Sequence, residues 1–236
     1  MEFLPIVGGA LAAGAAFVFL IVYAAKAGAN LTRQRAGTIR ELGASLGMTL
    51  LDPIQEGGSP MKVVRAPHGL DFKSVYPGCH LFHIHGGNVY NVLSGSYKGR
   101  PARVFEFSYV IHTGKSAHTI IFGVVAVDVG KPVPNVDVRY EGLWHKIKEM
   151  FGRSDLHLDN PDFDKKFLVV SDNEGFTRSV FDYGVQERML ETPFDGHVLT
   201  GQSALVYRCA TCTAEQFLQM LERANELANQ ATVALP

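Results

Sequence analysis

The sequence predicts an α+β protein: one N-terminal transmembrane helix, then a soluble region with an antiparallel sheet and flanking helices. Three observations predict it. An uncharged apolar run fills residues 3–25. The middle third carries apolar segments separated by short turn-forming breaks. Helical spacing of apolar residues is concentrated toward the two ends of the remaining chain, so strands are grouped and not interleaved with helices.

The first element is the run from Phe3 to Ala25, FLPIVGGALAAGAAFVFLIVYAA, which contains no charged residue. Its length at about 1.5 Å per residue is roughly 34 Å, enough for a hydrocarbon core of about 30 Å. Pro5 sits in the first turn, where a missing N–H costs little, and Tyr23 stands where an interfacial aromatic would. A cleaved signal peptide is the alternative, favoured by the small residues around Ala25 and Ala27. It lacks a basic leader, since only Met1 and Glu2 precede the run. Lys26, Arg33, Arg35 and Arg40 follow the run before any acid, a membrane-surface collar that puts the N-terminus outside and the bulk of the chain in the cytoplasm, at the inner membrane. Gly8, Ala12 and Ala16, with Gly9 and Ala13, place small residues four apart, a face that lets another helix approach closely. The expected partners are therefore an integral membrane protein, or a second copy through the same helix, together with the lipid bilayer.

The remaining elements follow in order. Residues 26–47 form a basic juxtamembrane segment and a helix over Leu31–Leu46, with Ile39, Leu42 and Leu46 at helical spacing and Gly47 as its stop. Residues 48–236 form the cytoplasmic α+β domain, with an alternative division into two halves near Val133. Met48–Leu51 is an expected strand. Further strands are expected over His80–His85, Asn88–Ser96, Ala102–Ile111 and His118–Val129, separated by short turns as in a meander. Phe105, Phe107 and Tyr109 alternate with Glu106 and Ser108, whereas Ile120–Val127 is nearly all apolar and suits a central strand. Pro132 and Pro134 are expected to end that strand. Gly142–Phe151 is an expected short helix. Phe167–Val170 reads as a strand and Asn173–Leu190 as helix broken near Tyr183-Gly184. Thr200-Gly201-Gln202 reads as a hairpin turn between Val198-Leu199 and Ala204–Tyr207. The last helix opens on a capping box, Thr213 with Gln216, and carries Phe217, Leu218, Leu221, Ala224, Leu227, Ala228 and Ala231 as its apolar stripe.

Composition excludes several classes. Lys+Arg of 22 against Asp+Glu of 23 give net charge −1, which leaves no whole-chain electrostatic grip on nucleic acid. A hydrophobic share of 47% with 19% charged residues excludes a disordered chain. Three cysteines exclude a disulfide scaffold.

Two stretches carry a resemblance. One is Asn91-Val92-Leu93-Ser94-Gly95, then Gly99-Arg100, Val104-Phe105-Glu106-Phe107 and Tyr109. The other is Phe163-Asp164-Lys165-Lys166-Phe167, then Val169 and Ser171-Asp172. Over roughly Gly78 to Ala228 the chain resembles a broad group of bacterial single-pass membrane proteins of uncharacterised function with a cytoplasmic α+β domain. The resemblance implies an anchored α+β protein. It implies no catalytic residue.

The candidate chemistry is sparse. Cys209-Ala-Thr-Cys212 is a C-x-x-C before a helix whose N-terminus would lower a thiol pKa. A thioredoxin-like fold would need further strands after it, and only one helix follows. Cys79, His80, Cys209 and Cys212 together would make a zinc site if their strands met, yet a second C-x-x-C is missing. Gly114-Lys115-Ser116 ends like a phosphate loop but has Tyr109 where the first glycine belongs. No G-x-S-x-G and no H-E-x-x-H occurs. The expectation is thus no cofactor and no catalytic set. The reading is a non-enzymatic membrane-anchored accessory or scaffold subunit of a larger complex. A thiol- or metal-dependent sensor or enzyme using Cys209 and Cys212, or a lipid- or ligand-binding module, is the alternative.

Overall fold

Where the sequence alternates or runs apolar between turn residues, the chain forms strands, and they pair antiparallel throughout. The computed structural model describes residues 34–51, 71–84, 87–113, 116–141 and 156–235. Helix α1 covers 34–46, buries Ala36, Ile39 and Leu42, and ends at Gly47 with φ +63°. It leads into β1 (Thr49–Leu50), which pairs with β2 (Asn88–Tyr97). Between them come α2 (Phe72–Val75) and a 3-10 turn over His80–His83. Then follow β3 (Arg100–Thr113), β4 (Ser116–Tyr140), α3 (Pro161–Asp164), β5 (Phe167–Ser171), α4 (Glu174–Val180), α5 (Tyr183–Glu191), β6 (Gly196–Arg208) and α6 (Ala214–Ala234).

β4 is the spine. It runs for 25 residues. Its first half lies between β3 and β6, its second half between β5 and β6. Pro132 and Pro134, expected to end the strand, instead lie in an irregularity where the β4–β6 register shifts twice, between Asp128 and Val133 and between Val133 and Val136. A bulge tolerates proline because its residues donate no ladder hydrogen bond. Gly130 at φ +85° supplies the bend, and Gly201 at φ +59° lies opposite Val133 in β6. Thr200-Gly201-Gln202 is therefore not a hairpin turn: β6 passes straight through it, paired to β4 on both sides.

Both faces of the sheet are covered. On one, Phe217, Leu221, Ala224, Leu227, Ala228 and Ala231 of α6 pack against Val125, Val127, Val136 and Val206, joined by Ile39 from α1 and by Val180, Val185 and Met189 from α4 and α5. Thr213 caps α6 as expected: its hydroxyl accepts the Gln216 N–H at 3.2 Å while Gln216 Oε1 accepts the Thr213 N–H at 2.9 Å. On the other face, Phe72, Tyr76, Leu81 and Phe82 meet Phe105, Phe107, Val124 and Leu205. Each fully buried large side chain stabilises by about 1.5–3 kcal/mol. His80–His85 was the strand expected here. Residues 80–83 instead make a 3-10 turn, because Phe82 is drawn onto the rings of Phe72, Tyr76, Phe105 and Phe107, at centroid distances of 5.6 to 6.0 Å.

One expectation is corrected outright. Among the described residues no helix is long and apolar enough to cross a membrane. The long α6 carries Glu215, Glu222, Arg223 and Glu226 among its apolar positions. The described fold is an antiparallel sheet with flanking helices and contains no transmembrane helix, so it gives the single-pass anchor no support. Residues 3–25, where that helix was expected, lie outside the described residues, as do the expected helix over Gly142–Phe151 and Gly114-Lys115.

Candidate functional site

The strongest constellation of chemistry-bearing side chains lies under the 71–84 segment. Cys79 and His80 sit where that segment turns onto the sheet. Asp137 and Arg139 alternate with Val136 and Val138 on β4, so both point to one face. Tyr207 comes from β6. All five are buried. His80 Nδ1 lies 2.6 Å from Asp137 Oδ2, and Arg139 reaches the same oxygen through Nε at 3.0 Å and Nη2 at 2.8 Å. A carboxylate only accepts, so Nδ1 carries the proton and Nε2 is left as an acceptor. The Tyr207 hydroxyl stands 3.5 Å from Nε2 and donates toward it. Asp137 Oδ1 accepts no hydrogen bond.

Burial works against the Asp137 charge, but His80 and Arg139 outweigh it and hold the carboxyl below its ordinary range. Burial lowers the His80 imidazole despite the pull of Asp137, so it is neutral at pH 7. Burial pushes the Tyr207 hydroxyl well up, and burial with the Asp137 charge pushes the Cys79 thiol up. A His–Asp pair of this kind orients an imidazole for proton transfer when a nucleophile faces Nε2. Here a tyrosine hydroxyl faces it, and the neighbouring thiol is fully buried and protonated. What the arrangement does is fasten the 71–84 segment to the sheet. Gly196 is part of it: a Cβ there would lie 1.8 Å from Tyr207 Cζ, so only glycine lets the ring take its place.

The other expected site residues are dispersed. Cys209 packs at the edge of the core beneath 71–84, whereas Cys212 belongs to the core beneath α6, against Phe217 and Gly123. The C-x-x-C thus straddles the sheet. Both thiols are free, and burial pushes each up to about 11, overriding the helix N-terminus expected to lower them. Cys79 and His80 lie with Asp137, in a cluster that Cys212 does not join. Among the described residues no group of three or more His, Cys, Asp or Glu side chains is placed to hold a metal ion. Arg35 pairs with buried Glu106 through Nε at 3.0 Å and Nη2 at 2.9 Å, and its Nη2 donates to the Tyr90 hydroxyl at 2.6 Å. It clamps α1 to the sheet. Arg40 is exposed on α1. Gly8, Gly9, Ala12, Ala13, Ala16, Lys26 and Arg33 lie outside the described residues.

Sequence reasoning missed Asp137, Arg139 and Tyr207. The signal was present in Val136-Asp137-Val138-Arg139, two opposite charges two apart between valines, which a strand turns inward together. It also missed His197, fully buried between Phe167 and Phe194, at 6.5 and 6.0 Å between ring centroids. Neither ring nitrogen of His197 has a hydrogen-bond partner, and Arg223 Nη1 has none either.

No family model matches the chain, and no curated protein matches it. Among solved structures it is similar to the crystal structure of the mycobacterial trehalose monomycolate transport factor A, TtfA. The identity is 15% over 86% of this chain and 97% of that one, with a TM-score of 0.60. At that identity the likeness is one of fold.

Proposed function

We propose that the chain is a non-enzymatic accessory or scaffold subunit that works beside a membrane-embedded partner in transport. The observation that carries this reading is the sealing of His80, Asp137 and Cys79 inside the fold. The groups that would otherwise suggest catalysis are used to lock a covering segment onto the sheet. The fold it shares with a protein described as a transport factor supports the same reading. A rigid sheet covered on both faces, with its ion pairs spent internally, suits a protein that is held in place by others.

The test is gentle extraction of the tagged chain from native membranes, followed by quantitative mass spectrometry. An integral membrane protein recovered at a constant ratio across independent preparations is the expected result. Recovery of the chain alone from every preparation would refute the reading.

A further inference from the structure

On the sheet face covered by the 71–84 segment, the apolar cover reaches Tyr76, and beyond it the face turns polar. Ser94 lies opposite Arg103 in the β2–β3 register, and Asp128 lies opposite Ser203 in the β4–β6 register. These four residues and Tyr76 line a cavity of about 80 Å³ that is open to one side. A water-sized group takes about 10–15 Å³, so the cavity admits several such groups.

Its charges are arranged unusually. Arg103 Nη1 donates to the Tyr76 hydroxyl at 3.2 Å. Among the described residues Arg103 has no carboxylate at ion-pair distance, although Asp128 lines the same cavity. Asp128 Oδ1 accepts the Gly130 N–H at 2.5 Å. A cation and an anion therefore share one small cavity without meeting. Any anion drawn to Arg103 also faces Asp128, and any cation drawn to Asp128 also faces Arg103. The set is satisfied by a neutral group that donates to the carboxylate and accepts from the guanidinium. The Ser94 and Ser203 hydroxyls, each able to donate and accept, extend it.

We infer that this cavity binds a neutral polyol, seating a vicinal diol of a sugar between Arg103 and Asp128. This inference does not depend on the accessory role: a binding site here stands or falls apart from any membrane partner.

The test is saturation-transfer NMR on the full-length protein in sugar-free solution, with methyl α-D-glucopyranoside as the probe. Sodium acetate and tetramethylammonium chloride serve as the anion and cation probes. The glucoside is expected to bind saturably and the two ions not to compete with it. Asp128→Asn keeps the acceptor for the Gly130 N–H and removes the charge. It is expected to weaken binding about tenfold or more, as loss of a hydrogen bond to a charged group does. Arg103→Met is expected to do the same, and Ser203→Ala to weaken binding by a smaller factor. Thermal unfolding of each variant separates lost binding from lost folding, and if Arg103→Met does not fold, Asp128→Asn decides. No saturable binding of the glucoside, unchanged binding in Asp128→Asn, or equal binding of either ion overturns the inference.

Discussion

Replacing Asp137 with Asn keeps the shape of the side chain and removes the charge that Arg139 and His80 both face at one oxygen, at 2.6 to 3.0 Å. Removing one partner of a buried ion pair costs about 3–5 kcal/mol, because the other charge keeps its desolvation penalty. Asp137 Oδ1 already lacks a hydrogen bond, so the wild-type carboxylate is itself incompletely solvated, and the lower end of that range applies. About 3 kcal/mol in a domain of this size corresponds to a fall in Tm of about 6–12 °C. The assay is thermal unfolding by near-UV circular dichroism. Amide exchange on residues 71–84 adds a local readout, since His80 is the anchor of that segment. Exchange there should quicken more than in α6. The double variant Asp137→Leu with Arg139→Met removes both charges and should recover most of the loss, as apolar replacements of buried pairs do. A single-variant Tm within about 2 °C of the parent, which corresponds to about 0.5–1 kcal/mol, would refute the reasoning.

Three further outcomes are expected. His197 is held well below its ordinary value, first by burial and then by Arg223, while the unfolded chain titrates near about 6.5. Below that pH the unfolded state binds a proton that the folded state refuses, so stability falls as pH falls. His80, also lowered by burial, adds to the same slope. His197→Leu should flatten the slope in denaturant titrations between neutral and mildly acid pH, and an unchanged slope would assign the effect elsewhere. Cys209 and Cys212, pushed up to about 11, should react with iodoacetamide at pH 7.5 far more slowly in the folded than in the urea-unfolded protein. Equal rates would show that the thiols are not held as described. Gly196→Ala drives a methyl into the Tyr207 ring and should cost about 1–3 kcal/mol. Combining it with Tyr207→Leu should lessen the added penalty; strict additivity of the two changes would argue against a direct clash.

The local rules were legible where one residue decides one geometry. The capping box at Thr213 and the alternation of Phe105, Phe107 and Tyr109 follow from neighbours in sequence, and so does the break between α4 and α5, expected near Tyr183-Gly184 and found just before it at Phe181-Asp182. What failed depended on partners far along the chain. Pro132 and Pro134 read as terminators because their tolerance comes from a matching irregularity at Gly201 in β6. The 71–84 segment read in part as a strand because its shape is imposed by aromatic rings on β3. Glu106 alternates with apolar residues as an outward-facing position would, yet it is buried, because α1 brings Arg35 to it. The C-x-x-C pattern read as a pair because sequence spacing does not reveal that the sheet passes between its two thiols.

The pairing of β4 with β6 has a consequence for how the chain is made. Its rungs join Gly123 to Arg208 and Arg139 to Gly196, so each closes a long loop and none can form until β6 has been synthesised. β2, β3 and β4 can zip through local hairpins as soon as they emerge. At about 5–20 residues per second, the nascent chain then waits several seconds with the β6-facing edge of β4 bare and the apolar face destined for α6 uncovered. The ribosome-bound intermediate, not the finished fold, is where this chain is most exposed to edge-to-edge aggregation.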